Sequence, residues 1–475
     1  MSKSLKVILI TVSGFMTFLV LVVAALYVFL DVNGYKSWIE RVASKTLGME
    51  VKVAGRLELG LFPGLQVTAE DVQVRNRGSD VVFAKGAGFG IDLLPLLQKE
   101  VRIREIALIH PIITIERDGD GTYNFEKTEK AERTFLALEL SKVSISDGMF
   151  RYADKQATGE FEAVGCNLDA RNLQLSGEKS PNFLKHLSCT ANLACEEIRT
   201  RDFSASDLKL DLVEQDGVID VKPVTIYVFG AQGSGSIQAD FTGDVPRYHV
   251  QSSLQRFQVK EFLEILSPTR SAEGEMDFSA NLSMQGQTIN AIKESATGDV
   301  SLRSENLTLE GLDIDQKLSR LESSQSFNLV DVGTFFFVGP FGLAVTKGYN
   351  FAGLFQESGR SSIVRTLISD WKVEHGVAQA RDVAMATNQN RIALKGKLDF
   401  VNERFDDVTL AVINPKGCAT MVQKIDGPFQ KPVVEEPSIL KSLFGPALQL
   451  LKKGRELVLG EECEVFYAGS VSPPE

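Results

Sequence analysis

Between Met276 and Met284 every second side chain is apolar: Met276, Phe278, Ala280, Leu282 and Met284 alternate with Asp, Ser, Asn and Ser. A period of two gathers all five on one face of a strand, whereas a helix would scatter them around its axis. The same alternation recurs along the chain. Val51 and Val53, then Leu57, Leu59 and Leu61, then Leu65, Val67 and Ala69 form a meander interrupted at Phe62-Pro63-Gly64. Residues 102–117 resume strand character, with Pro111 suited to an edge or a bulge. Leu208, Leu210 and Leu212 share a face, as do Ile237, Ala239 and Phe241, and Tyr248, Val250 and Leu254. Ile392, Leu394, Leu398 and Phe400 follow, with Gly396 as a gap, and Val408, Leu410 and Val412 close the series. Asp147-Gly148, Asp216-Gly217 and Gly243-Asp244 read as turns between strands.

Helical spacing is confined to short stretches at 260–266, 289–296, 314–324, 361–368 and 440–452, and the LLPLL at 93–97 reads as a short helical or turn insertion. So few helices cannot cover all the apolar strand faces. Two solutions follow: two sheets pack into a sandwich, or one sheet curls and keeps an apolar interior open to a ligand.

Residues 7–30 (VILITVSGFMTFLVLVVAALYVFL) carry no charge. As a helix this run is about 36 Å long, enough to cross a ~30 Å hydrocarbon core. Lys3 and Lys6 precede it and Asp31 follows, which places residues 1–6 in the cytoplasm and the bulk across the membrane. A cleaved signal peptide has a shorter core and ends in small residues, where this run has Tyr27, Val28, Phe29 and Leu30. Residues 34–48 then spell an amphipathic helix with Trp38, Ile39, Val42, Ala43 and Leu47 at helical spacing and Gly48 as its stop. Trp38 is either an interfacial anchor or a packing residue against the next strands.

A net charge of −11, with no basic tract beyond the N-terminus, gives no support for nucleic-acid binding. The four histidines stand far apart at 110, 186, 249 and 375, and the cysteines at 166, 189, 195, 418 and 463 lack zinc spacing. The glycine-rich 229–235 is followed by strand alternation instead of a helix, so it reads as a hairpin and not a phosphate cradle. The DGDG at 118–121 has Thr122 and Tyr123 where a calcium loop needs a ligand and a glycine, and it too reads as a hairpin turn. Asp406-Asp407 and Glu461-Glu462 read as solvated turns. No nucleophile–base grouping, cofactor motif or metal set is legible, and the expectation is a protein that is not an enzyme.

Several segments in order resemble the AsmA family of inner-membrane-anchored envelope proteins of Gram-negative bacteria. These are GMEVKVAGRLELGLFPGLQVTAEDVQVRN (48–76), LLPLLQKEVRIREIALIHPIITIERDGDGTYNF (93–125), DGVIDVKPVTIYVFGAQGSGSIQADF (216–241), ATGDVSLRSENLTLEGLDID (296–315), GCATMVQKIDGPFQKP (417–432) and CEVFYAGSV (463–471). Phe125 departs from the Trp that often follows Asn in the family. The resemblance implies a mainly β chain: a transmembrane helix, then an extended, curled antiparallel β-sheet groove with a few short helices, related to bridge-like lipid-transfer proteins. It tips the balance from sandwich to groove and implies a disulfide between Cys418 and Cys463. The expected organisation is a cytoplasmic 1–6, a span at 7–30, an N-terminal β region at 31–130, and a main groove at 131–475, with the charged 126–134 as connector. Lipid-facing candidates are Met276, Phe278, Ala280, Leu282, Met284, Ile392, Leu394, Leu398 and Phe400. The expected partners are phospholipids and the inner membrane, the expected role phospholipid transfer toward the outer membrane in support of envelope integrity. The rival reading is a scaffold that adds strands of outer-membrane or envelope proteins to its sheet edges.

Overall fold

The computed structural model describes residues 32–60, 65–91, 103–126, 140–155, 159–175, 187–201, 203–266, 272–321, 361–439 and 463–474. The expected span at 7–30 with Lys3 and Lys6, the insertion at 93–97, Glu461-Glu462 and the helix at 440–452 lie outside these residues. Among the described residues no helix is long and apolar enough to cross a membrane. The chain divides into two compact units, the second beginning at about Asp202.

The first unit opens with a 3-10 turn and helix α1 (Lys36–Leu47). Gly48, at φ +69°, stops the helix and donates its N–H to Ser44 O at 2.9 Å. Among the described residues eight strands follow: β1 (Glu50–Val53), β2 (Leu57–Gly60), β3 (Leu65–Asn76), β4 (Ser79–Ile91), β5 (Ile103–Arg117), β6 (Lys142–Asp154), β7 (Gly159–Leu175) and β8 (Leu187–Thr200). β1 and β2 both pair with β3, one along each half, and β3–β4–β5 continue antiparallel. β5 and β6 then pair parallel, which corrects the expectation of an antiparallel sheet throughout. A parallel pair needs a crossover of a dozen or more residues, and the stretch between Arg117 and Lys142 supplies it. β6–β7–β8 return to antiparallel pairing, with a disulfide between Cys166 and Cys195 (Cα–Cα 4.0 Å) joining β7 to β8. The core is Val51, Val53, Leu57, Ala69, Val72 and Ala87, onto which Ile39 and Ala43 of α1 pack.

The second unit is a meander: β9 (Ser204–Gln215), β10 (Val218–Val228), β11 (Ala231–Asp240), β12 (Arg247–Gln258), β14 (Glu275–Gln285), β15 (Thr297–Leu309), β16 (Ser362–Glu374), β17 (Val377–Thr387), β18 (Arg391–Asp399), β19 (Arg404–Ile413) and β20 (Ala419–Pro428), each antiparallel to the next. Short β13 (Ala272–Glu273) pairs with β15, and β21 (Val433–Val434) and β22 (Ser438–Ile439) pair with β20. Among the described residues no pairing joins β9 to β20, so this sheet curls without closing. Bulges interrupt the register at Val221/Val224, Leu254/Phe257, Lys395/Lys397 and Phe405/Val408, and each bends its strand.

Among the described residues three helices lie on this unit: α2 (Val259–Leu266), α3 (Ile289–Ser295) and α4 (Ile314–Leu321), at three of the stretches with helical spacing. The fourth, 361–368, is a correction: it forms the start of β16. A bulge between Val364 and Thr366 makes Val364 and Leu367 the successive buried positions, and that step of three imitates a helix. Asp147-Gly148 and Asp406-Asp407 likewise prove to be bulges within β6 and β19 and not turns between strands. Asp216-Gly217, Phe229-Gly230 and His375-Gly376 form two-residue hairpin turns, with φ of 54° and 87°, 52° and 72°, and 51° and 74°.

Residues 463–474 cover the outer face of β17–β19. The Cys418 and Cys463 sulfurs are bonded (Cα–Cα 6.1 Å), and Phe466 and Tyr467 donate their N–H groups to Gly417 O at 2.8 and 2.9 Å. Tyr467 and Val471 pack on Ala384, Ala386, Ala393 and Ala411. These strands are therefore buried on both faces.

Candidate functional site

The inner face of the second unit changes character along its strands. From β15 to β20 it is a closed core: Leu302, Leu307, Leu367, Trp371, Ile392, Leu398 and Leu410 are at most 2 % exposed, with Leu312, Ile314 and Leu318 around α4 packed among them. From β10 to β14 the same face is only partly covered and, with Val300 and Leu302 of β15, bounds a cavity of about 720 Å³. That size is typical of ligand pockets.

Strand register explains the space. One row crosses the sheet through Val224, Gly235, Ser252, Ala280, Val300 and Trp371. A second runs through Ile226, Gly233, Leu254, Phe278 and Leu302, and a third through Val221, Ile237, Val250, Leu282 and Gly298. Glycine, serine and alanine meet in the middle, so the floor drops between walls made by Leu254 and Phe278 on one side and Val250 and Leu282 on the other. Along the central row the side chains grow from glycine at 235 to tryptophan at 371, where the space is filled. The Trp371 indole N–H donates to Ser369 Oγ at 2.7 Å, which satisfies its one polar group.

Both ends are bounded. Phe229 in the β10–β11 turn stacks edge-on to Phe262 of α2 (centroids 5.5 Å apart), and Phe257 lies 5.7 Å from Phe262. At the other end stand Ile292 and Lys293 of α3, Ala296, Gly376 and Phe400. Gly376 donates its N–H to Ala296 O at 3.0 Å, and a Cβ there would lie 2.4 Å from Lys293 O, so glycine lets α3 sit directly on the β16–β17 turn. Among the described lining residues Lys293 is the one charged side chain, and its Nζ is 3.8 Å from Glu403. Apart from Gln251, the rest of the wall is apolar or hydroxyl-bearing, suited to hydrocarbon.

The sequence candidates separate by burial. Phe278, Leu282, Met284 and Phe400 line the cavity. Ala280 is partly buried against the core, and Met276, at 4 % exposure, lies within it. Ile392, Leu394 and Leu398 sit in the closed part. Alternation identifies which face turns inward but not which part of it stays open. The lining residues Val224 and Ile226 were obscured by the bulge at Pro223, and the aromatic end by the bulge that moves Phe257 inward. Two of the histidines take exposed polar partners: His110 with Asp147 (2.8 Å) and His249 with Ser283 (3.1 Å). Among the described residues no group of three or more His, Cys, Asp or Glu could hold a metal ion.

The AsmA family model matches residues 1–174 and 136–335, most of the chain. The chain belongs to the AsmA family. In this AsmA-family protein the matched region runs through β15 and so includes the strands that form the cavity floor, whereas the segments at 417–432 and 463–471 lie beyond it. No curated protein and no solved structure gives a significant match.

Proposed function

We propose that this AsmA-family protein is held in the bacterial inner membrane by residues 7–30, with its bulk in the periplasm, and carries phospholipid toward the outer membrane. The observation that supports this most is the apolar cavity of about 720 Å³ on the inner face of β10–β15. Acyl chains taken from the bilayer would exchange one apolar surrounding for another, so transfer along the face needs only contact and no bond-making step. Gly235, Ser252 and Ala280 leave room for the chains, and Phe278 and Leu282 flank them. The headgroup would remain at the wet side of the groove.

The test is purification of the full chain in mild detergent, followed by lipid extraction and mass spectrometry. Bound phospholipid in near-stoichiometric amount is expected. A protein that emerges free of lipid, with crosslinks from its strand edges to outer-membrane proteins, would instead support the scaffold reading.

A further inference from the structure

Helix α1 has two apolar faces, and the sheet uses only one. Ile39 and Ala43 pack on the β1–β3 core. On the same side Glu40 Oε1 accepts the Val53 N–H at 2.8 Å and Ser44 Oγ accepts the Val51 N–H at 2.8 Å. Trp38 and Val42 point elsewhere, 53 % and 44 % exposed. This corrects the simple amphipathic reading, in which one stripe held Trp38, Ile39, Val42, Ala43 and Leu47.

Trp38, Arg41, Val42 and Lys45 follow the spacing i, i+3, i+4, i+7 and share the outward face. The face thus combines an aromatic and an aliphatic side chain with two cations, and Glu40, the acidic residue of the helix, is turned inward to the sheet. Tryptophan beside lysine and arginine is the composition that sits at a bilayer's headgroup level. The chain also limits how far this helix can be from a bilayer. Five residues lie between Leu30 and Lys36, six Cα–Cα steps that span at most about 22 Å even if fully extended.

We propose that the outward face of α1 lies on the membrane surface, with Trp38 and Val42 among the headgroups and Arg41 and Lys45 on anionic lipid phosphates. This contact would hold the first unit in a fixed orientation on the bilayer. The proposal rests on residues 7–30 being a membrane span and is independent of whether the cavity carries lipid.

The two tryptophans make the test direct, because Trp371 is only 1 % exposed. The full chain is placed in nanodiscs containing phosphatidylglycerol brominated either near the headgroup or deep in the acyl chain, and tryptophan emission is measured. Loss of emission with the shallow bromine is expected, and this loss should disappear in Trp38→Phe. Arg41→Glu with Lys45→Glu should abolish most of it, as should phosphatidylcholine discs brominated at the same depth. Equal emission in brominated and unbrominated discs overturns the proposal, and quenching indifferent to both charge reversal and headgroup overturns its electrostatic half. A chain that fails to enter nanodiscs overturns the span and the helix contact together, leaving the lipid-extraction test of the cavity untouched.

Discussion

Gly235 of β11 stands directly opposite Ser252 of β12, and together they set the depth of the groove. A Cβ on Gly235 would lie 2.6 Å from Gln251 O, so glycine is needed there for backbone approach as well as for space. Ser252 carries no such constraint. Ser252→Phe should fill the floor between Leu254 and Val250 while the fold survives. The expected outcome is loss of co-purified phospholipid with a melting temperature within a few degrees of wild type; retained lipid at full occupancy would contradict the groove.

Leu282 and Leu394 are both inward-facing leucines on alternating strands, but they should respond differently to a charge. Leu282 lines the cavity, whereas Leu394 is 2 % exposed in the closed core. Leu282→Lys can direct its ammonium into the open space and should reduce lipid binding more than stability. Leu394→Lys buries an unpaired charge and should leave little folded protein. Leu394→Ala, a milder probe, should cost about 2–5 kcal/mol. Denaturant melts of the three variants separate open from closed surface, and equal destabilisation by the two lysines would argue for a uniformly packed interior.

Much of this architecture is legible in the sequence because a strand's period survives wherever its pairing is regular. Met276 to Met284 is the clearest case: the five residues do share the inner face of β14. Legibility fails at bulges. Val364 and Leu367 imitate a helix because one extra residue shifts the phase, and Phe257 escapes the pattern of Tyr248, Val250 and Leu254 for the same reason. The difference between Leu282 and Leu394 is not local at all. It depends on the size of side chains on neighbouring strands, small at 235 and 252 and large at 371, which only register brings together.

Glu214 ends the inward row of Leu208, Leu210 and Leu212 on β9 and is 2 % exposed. One carboxylate oxygen accepts the Gly217 N–H at 3.1 Å, and the other has no hydrogen-bond partner among the described residues. Burial pushes its carboxyl above the usual range, against the bond from Gly217. A raised native value means that the ionised form opposes folding. The associated stability is fully present below the unfolded value near 4.3 and is lost as pH rises through the native one. Glu214→Gln should therefore raise the melting temperature at pH 7, and the advantage should shrink toward pH 4. A constant difference across that range would show that ionisation is not the cause.

Asp382 latches the C-terminal segment to β17. It accepts hydrogen bonds from Tyr467 Oη and from both the N–H and hydroxyl of Ser470. Burial works to raise its carboxyl, but the bonds from Ser470 and Tyr467 outweigh it and hold the group below the usual aspartate range. Burial and the same bond to Asp382 push the Tyr467 phenol up, so it stays a neutral donor at neutral pH. A lowered native carboxyl gives stability that is present above the unfolded value of about 3.9 and lost as pH falls through the native one. Asp382→Asn should therefore be destabilising from pH 5 to 8 and indistinguishable from wild type in strong acid. The Cys418–Cys463 bridge closes a sequence separation of 45 residues, worth on the order of 4 kcal/mol in the chain-entropy account. With that tether cut by Cys418→Ser and Cys463→Ser, Asp382→Asn should release residues 463–474 from the alanine face of β17–β19. Hydrogen exchange at Ala384 and Ala393 reports this: protection should fall stepwise from wild type to the combined variant, and unchanged protection would mean the segment is held by packing alone.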